Sequence, residues 1–309
     1  MSRHAAFTVL IIVGICGWTS SLRAQEIIDE AMQCFPEHTV RLEYSNPEKL
    51  RQLSNYDAYR QHYLGAQLQQ IEKSLARLGV HEDDIDELAL GWESGAKDKG
   101  SAGLVLFGLA AGHFRISEIG ARATDEGLGG AEALDTAAYC TGHGMCFAFL
   151  DDTRAAFGSL EQLSKMGAER AGDSPNLSSN EEFANLVAEV KPGAPIWGVA
   201  QRAAMADWLS TSMPGQEGMH FNWKDLFTGV DSLTYTIEVG DKVDLAIRAA
   251  CASETDAVKM WAGLNALRML QGLTWGVRYP SHSNPLEHLE VDRDSDRVEL
   301  KIEAPLSTL

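Results

Sequence analysis

Residues 232–251 read SLTYTIEVGDKVDLAIRAAC, and this stretch decides the class of fold that the sequence predicts. Apolar residues occupy every second position in both of its arms: Leu233, Tyr235, Ile237 and Val239, then Val243, Leu245, Ile247, Ala249 and Cys251. Such alternation is typical of a strand with one buried face. The Gly-Asp pair between the arms suits a tight turn with positive backbone angles. The stretch therefore predicts an antiparallel β-hairpin.

The chain around this hairpin predicts further strands and helices. PIWGVA (195–200) predicts a strand, and QRAAMADWL (201–209) predicts a helix. After the hairpin, Ser253 begins a helix whose apolar residues recur at three- and four-residue steps. HLEVD and RVELKIEA, within residues 288–304, then predict a closing hairpin because their apolar residues alternate.

The first half of the chain predicts a similar order of elements. VRLEY (40–44) is a predicted strand, and a helix follows over 50–78, with a break near Ser54 and an end at Gly79. The remaining predicted elements are strands at 86–93 and 103–112, a helix at 115–126 and a hairpin around TGHG (141–144). Ser45 or Asn46 would cap the first helix, since Pro47 suits its first position.

The two halves share the order β-α-β-β-α-β-β, which predicts an α+β fold. We expect two similar units, 25–158 and 195–309, each an antiparallel sheet with helices packed on one face. A helical connector over 159–194 would join them. Its two helices would begin with capping boxes, Ser159 with Gln162 and Ser179 with Glu182.

The middle of the chain resembles a group of known sequences. The residues that carry the resemblance are FAFLDDTRAAFGSLEQL (147–163), a Ser-rich turn, NEEFANLV (180–187) and PIWGVA. They are similar to a pattern in uncharacterised exported bacterial proteins of the domain-of-unknown-function class, which have a repeated α+β unit. The resemblance implies that architecture and brings no known activity, substrate or catalytic residue.

The N-terminus predicts export from the cytoplasm. Arg3 precedes the apolar run AAFTVLIIVGICGW, and TSSLRA ends in the small residue Ala24. A charged start, a short apolar core and a small-residue exit are typical of a secretory signal peptide. The run is too short for a membrane anchor. We expect cleavage near Ala24, with residues 1–24 removed and the mature protein periplasmic or secreted, without a stable membrane anchor.

The charge of the chain limits its partners. Its 44 acidic residues outnumber its 26 lysines and arginines, so the formal net charge is −18. A strongly negative protein is soluble and repels phosphate backbones. We therefore expect no nucleic-acid partner.

YCTGHGMCF (139–147) is the motif that most resembles a site. Cys140, His143 and Met145 are ligand types of blue-copper centres, and Cys140, His143 and Cys146 together could bind zinc. However, the spacing is short for a copper loop and a fourth zinc ligand is not evident. Export favours oxidised thiols, and glycines flank His143 as in a turn. A disulfide between Cys140 and Cys146 is the favoured interpretation, and no metal is favoured.

Two other features leave alternatives open. Cys34 and Cys251 could pair with each other or remain buried thiols. Asp292, Asp294 and Asp296 have the spacing of a calcium loop. Arg297 stands where such a loop needs glycine, and a strand pattern begins at once, so a solvated acidic turn is favoured.

The sequence contains no recognisable catalytic motif and implies no cofactor. We therefore expect a non-enzymatic binding or scaffold protein for a partner protein or a small apolar ligand. The alternatives are an enzyme whose site is assembled from scattered residues, and a metal-binding protein that uses the Cys140/His143/Cys146 hairpin. Tyr56, Tyr59 and Tyr63 fit one helical face, which favours core packing over a ligand platform.

Overall fold

The fold is taken from a computed structural model of the chain. The residues it describes are 25–54, 56, 57, 60, 66–95, 104–141, 144–190, 193–202, 204, 227–240, 242–278 and 287–305. The predicted signal peptide, Tyr59, Tyr63, His143 and most of the helix predicted at 201–209 lie outside the described residues.

The described part of the chain contains seven continuous α-helices. Helix α1 covers residues 25–34 and is absent from the predicted order of elements. The others are α2 (Pro47–Arg51), α3 (Ala66–Arg77), α4 (Ile116–Asp125), α5 (Leu160–Ala171), α6 (Glu181–Glu189) and α7 (Glu254–Arg278). Short 3-10 turns occur at Glu82–Asp84 and Leu177–Ser179. None of these helices has both the length and the apolar character needed to cross a membrane.

The strands of the first half are β1 (Arg41–Ser45), β2 (Ile85–Ser94), β3 (Leu104–Gly112), β4 (Gly130–Ala133), β5 (Thr136–Cys140), β6 (Cys146–Asp151) and β7 (Arg154–Gly158). Those of the second half are β8 (Ile196–Gln201), β9 (Val230–Val239), β10 (Lys242–Cys251), β11 (Leu289–Asp294) and β12 (Arg297–Pro305).

Within the described residues these strands form one antiparallel sheet, so the protein has an α+β fold. The strand order is β11-β12-β10-β9-β8-β1-β2-β3-β7-β6-β5-β4. The sheet continues from one half of the chain to the other through the pair β1–β8, in which Glu43 lies opposite Gly198. The hairpin predicted from residues 232–251 is confirmed as β9 and β10, and Val239 pairs with Val243 at the turn.

Helices cover both faces of the first half of the sheet, not one face as expected. On one face, α1, α5 and α6 pack on Leu42 and Tyr44. On the opposite face, α3 and α4 pack on Leu90, Trp92 and Leu106. In the second half α7 packs on the face that carries Leu233, Ala249 and Val298. The first half therefore has three layers, and β1 and β2 have helices on both of their faces.

Local backbone chemistry explains where the elements differ from the prediction. The hairpin predicted around TGHG (141–144) is preceded by a further turn, because Leu134 and Asp135 adopt positive φ angles and turn the chain between β4 and β5. A leucine rarely adopts such an angle, so this turn could not be predicted from residue types. Ser159 caps α5 as predicted. Asn180, not Ser179, caps α6 and accepts a hydrogen bond from the Phe183 amide.

Candidate functional site

A cavity of about 580 Å³ lies between the sheet and α3, on the face of the sheet that carries Leu90. Its volume falls within the range of small-molecule sites in proteins. Most of its lining is apolar and comes from β1, β2, β3, β6 and β7 below and from α3 above. The lining residues of α3 are Leu68, Ile71, Glu72, Lys73, Leu75 and Ala76.

The floor of the cavity follows two lateral rows of side chains across neighbouring strands. We call them the glutamate row and the alanine row. The members of the glutamate row, in order across the sheet, are Glu43, Leu90, Gly108, Phe157 and Phe147. The members of the alanine row are Ile196, Ser45, Leu88, Ala110, Ala155 and Phe149. From β1 to β6 each row crosses four strand spacings, about 19 Å at the usual 4.8 Å per strand.

Small residues at the centre of the floor explain why space remains under α3. Ala110 on β3 pairs with Ala155 on β7, so neither position fills the layer between the sheet and the helix. The space above Gly108 is filled by the Phe157 ring from β7, since a Cβ at Gly108 would lie 2.5 Å from that ring. The rings of Phe147 and Phe149 close the far end of the floor. The result is a mostly apolar space of about 580 Å³.

One end of the floor is polar and is built around Glu43. Its Oε2 accepts hydrogen bonds from Arg41 Nη2 at 2.5 Å and from the Tyr235 hydroxyl. Tyr235 reaches it from β9, two strands away, because Gly198 on the intervening β8 carries no side chain. A Cβ at Gly198 would lie 2.5 Å from the Tyr235 ring. Burial raises the pKa of Tyr235, so the phenol stays protonated. Its hydroxyl therefore donates a hydrogen bond to Glu43.

Arg41 is turned away from the cavity. Its guanidinium lies 4.1 Å from the centre of the Trp92 ring, a cation–π contact, and Nη2 also contacts the Tyr235 hydroxyl at 3.1 Å. Arg41 is nearly buried, at 8% exposure, and is not part of the cavity lining. The Arg41 guanidinium therefore balances the charge of Glu43 from outside the cavity, and Glu43 itself remains part of the cavity lining.

Ion pairs line the helix side of the cavity. Arg60 Nη2 lies 2.6 Å from Glu72 Oε2 on α3, and Arg60 Nε lies 2.8 Å from Glu82 Oε2 on the 3-10 turn. Burial raises the pKa of Glu82, and the nearby Arg51 opposes that shift. Lys73 is exposed at the outer edge. Arg60 thus ties α3 to the turn that precedes β2.

A smaller cleft of about 240 Å³ lies beside the cavity and shares Val80 and His81 with it. Its charged residues pair with one another: Arg115 lies 3.8 Å from Asp84 and 3.4 Å from Glu118. These pairs are exposed and contribute little. The larger and mostly apolar cavity is therefore the stronger candidate site.

The cysteines predicted to form a disulfide lie opposite each other on β5 and β6. Cys140 pairs with Cys146 across the two strands, and their sulfur atoms form a disulfide. Met145 packs against the apolar cluster on the cavity face of the sheet. His143 lies outside the described residues. Cys34 and Cys251 are separate buried thiols, which answers the open question of their pairing; burial raises the pKa of Cys34 to about 11.

The aspartates with calcium spacing lie on an exposed hairpin. Asp292 and Asp294 belong to β11, where they pair with Glu299 and Arg297, and Asp296 lies in the turn before β12. All three aspartates are exposed. In the described part of the chain, no three His, Cys, Asp or Glu side chains are grouped closely enough to hold a metal ion.

Glu43 was not among the residues predicted to form a site, because the pattern of VRLEY (40–44) predicts only a strand. Two glycines inside predicted strands, Gly108 and Gly198, were the available signal. A glycine in the interior of a strand often marks a place where another group approaches the backbone. Tyr56, predicted to pack in the core, packs against the apolar cluster of the second half and also lines the cavity.

Comparison with known proteins adds little to this geometry. No family of known proteins matches the chain, and no curated protein matches it. A solved structure described as crystal form I of TP0453 matches over 90% of this chain and 94% of its own, with 8% sequence identity and a TM-score of 0.48. A likeness of that size carries no argument about this protein.

Proposed function

We propose that this chain is an exported, non-enzymatic binding protein that holds a small, elongated apolar ligand in the cavity under α3. The observation that carries the proposal is the mostly apolar cavity of about 580 Å³, whose floor rows have alanines at their centre and cross about 19 Å of the sheet from β1 to β6. Each methylene group that enters such a space contributes about 0.8 kcal/mol to binding. A single alkyl chain could extend along these rows.

The charges of the cavity support binding over catalysis. Arg60 is occupied by Glu72 and Glu82, and Glu43 is held by Arg41 and Tyr235. These contacts fix the charged groups at the ends and edges of the cavity. A nucleophile beside a general base would instead suggest an enzyme.

The proposal also includes export of the protein from the cytoplasm and an architecture of two similar α+β units. Residues 1–24 would be the signal peptide, and the Cys140–Cys146 disulfide is compatible with an oxidising compartment such as the periplasm. The sheet order supports two related units, 25–158 and 195–309. The first unit runs β1-β2-β3-β7-β6 and the second β8-β9-β10-β12-β11, so in both the closing strands return beside the third strand.

Displacement of a fluorescent apolar probe tests the binding function. N-phenyl-1-naphthylamine should become fluorescent in the wild-type protein and be displaced by dodecyl compounds. Ala155→Leu places extra carbon atoms at the centre of the floor and should weaken probe binding by about tenfold or more. Ala137→Leu is the matched control, because Ala137 is exposed on β5 and does not line the cavity. Equal binding by both variants, or no binding by the wild-type protein, would refute the proposal.

A further inference from the structure

The carboxylate of Glu43 has one oxygen atom, Oε1, that accepts no hydrogen bond from the described residues. Oε2 accepts the hydrogen bonds from Arg41 and Tyr235, whereas Oε1 forms none within the described residues. The side chain is 17% exposed and lines the cavity. An ionised carboxylate is purely an acceptor of hydrogen bonds. A group that satisfies Oε1 from the cavity must therefore be a donor.

The charges around the cavity disfavour an anionic ligand at this end. Four of the lining residues are acidic: Glu43, Glu72, Glu82 and Asp83. Of the lining arginine and lysine, Arg60 is already paired with two of these acids, and Lys73 lies at the outer edge. A second carboxylate or a phosphate beside Glu43 would be repelled and would lose its own water.

Ser45 adds a neutral polar group to the same end. It lies two residues after Glu43 on β1, in the alanine row, and also lines the cavity. Side chains two apart on a strand share a face and lie about 7 Å from each other. A hydroxyl group between them could donate to Glu43 and accept from the Ser45 hydroxyl, whereas an ammonium group could only donate to them.

From this arrangement we infer that the ligand is a single-chain amphiphile whose polar end donates a hydrogen bond to Glu43. The polar end is a hydroxyl or an ammonium group, and the alkyl chain extends over Leu90, Phe157 and Phe147 toward β6. The inference rests on the proposed function of the cavity and adds the chemistry of the ligand's polar end. It excludes fatty carboxylates and phosphates as the preferred ligands.

A panel of ligands with the same alkyl chain tests this inference on the wild-type protein. Displacement of N-phenyl-1-naphthylamine would be measured with dodecylammonium, monododecanoylglycerol, dodecyltrimethylammonium and dodecanoate, each below its micelle concentration. The first two should bind at least about tenfold more tightly than dodecanoate. Dodecyltrimethylammonium has the charge but no N–H donor and should bind more weakly than dodecylammonium. Dodecanoate binding as tightly as the donors would overturn the inference, whereas no displacement by any member would overturn the cavity function itself.

Substitutions then locate the polar end. Glu43→Gln should weaken dodecylammonium binding by about tenfold or more and remove the preference over dodecanoate. Glu238→Gln is the matched control, an exposed glutamate on β9 that does not line the cavity. A loss of binding in Lys73→Gln with no effect of Glu43→Gln would place the polar end at the outer edge and overturn the inference.

Glu43→Gln also removes the counter-charge of buried Arg41, so its fold must be checked by circular dichroism. If this variant does not fold, Ser45→Ala provides the test because it deletes a single hydroxyl. It should weaken monododecanoylglycerol binding by about threefold or more relative to any change in N-phenyl-1-naphthylamine binding. Equal loss for both ligands would contradict a hydrogen bond at this position.

Discussion

In the first half of the sheet Ala110 on β3 lies beside Ala155 on β7, whereas in the second half Leu245 on β10 lies beside Ile302 on β12. All four residues belong to one lateral row, because the alanine row continues through Ile196 and Ile237 into the second half. The corresponding strand pairs β3–β7 and β10–β12 therefore carry small side chains in the first half and large aliphatic side chains in the second half.

The helices that cover this row, α3 in the first half and α7 in the second, also differ in how they pack on the sheet. In the second half, Ala257, Met260 and Leu264 of α7 join one apolar cluster with Val291 and Leu300 of the sheet. In the first half, Ile71 and Leu75 of α3 join an apolar cluster with Leu90 and in addition line the cavity. A packed layer and a ligand site can therefore come from the same order of elements, and the choice depends on side-chain volume at a few strand positions.

The largest expected effect is a difference between two leucine truncations. Leu264→Ala should lower the free energy of unfolding by about 2–5 kcal/mol, because Leu264 is 3% exposed and packed on the sheet. Leu75→Ala should cost less, about 1–2 kcal/mol, because Leu75 already faces an open space. Urea unfolding followed by circular dichroism measures both values. Equal costs would show that the two layers are equally packed and would remove the basis of the comparison.

A ligand sharpens the same experiment. Saturating dodecylammonium should stabilise the wild-type protein in proportion to the logarithm of its concentration, because it binds only the folded state. The stabilisation should be smaller for Leu75→Ala, whose contact with the alkyl chain is lost, and unchanged for Leu264→Ala. Loss of the ligand effect in Leu264→Ala alone would place the ligand under α7.

Short-range patterns made most of the strands predictable. The alternation within 232–251 predicted β9 and β10, and the apolar run 195–200 predicted β8, because each depends only on neighbours in sequence. The lateral rows were not predictable in this way. Glu43 meets Leu90 and Gly198 through strand registers set by distant parts of the chain. Helix α1 and the covered second face of β1 were missed for the same reason.

An effect of intermediate size is expected from the dependence of the free energy of unfolding on pH. The group responsible lies on the face of the first half of the sheet opposite the cavity. Glu169 of α5 is 6% exposed, and its Oε2 has no hydrogen-bond partner within the described residues. Burial raises its pKa from 4.5 to about 7; Glu93 on β2 adds to the shift and Lys165 on its own helix opposes it. The folded state therefore holds a proton that the unfolded state releases.

The sign of the pH effect follows from that raised pKa. The stabilisation is complete below about pH 4.5 and is lost as the pH rises through about 7, by on the order of 2 kcal/mol. Glu169→Gln should flatten this part of the pH profile, whereas Glu161→Gln, at an exposed position on the same helix, should not. Hydrogen exchange should show the change in α5 and β2 before α7. A profile that is unchanged in Glu169→Gln would contradict this assignment.

The smallest expected effect concerns the helix caps, which compare the two halves at matched positions. Asn180 accepts a hydrogen bond from the Phe183 amide at 3.0 Å, and Ser253 accepts one from the Asp256 amide at 3.2 Å. Replacing either by alanine should cost about 1 kcal/mol, with the partly buried Asn180 at the higher end because water replaces its bond less well. Ser179→Ala is the control and should cost less than about 0.5 kcal/mol, since Ser179 lies outside α6 and does not cap it. A larger cost at Ser179 than at Asn180 would restore the cap predicted from the sequence. A larger cost at Ser253 than at Asn180 would show that the first half tolerates fraying of its helices better than the second.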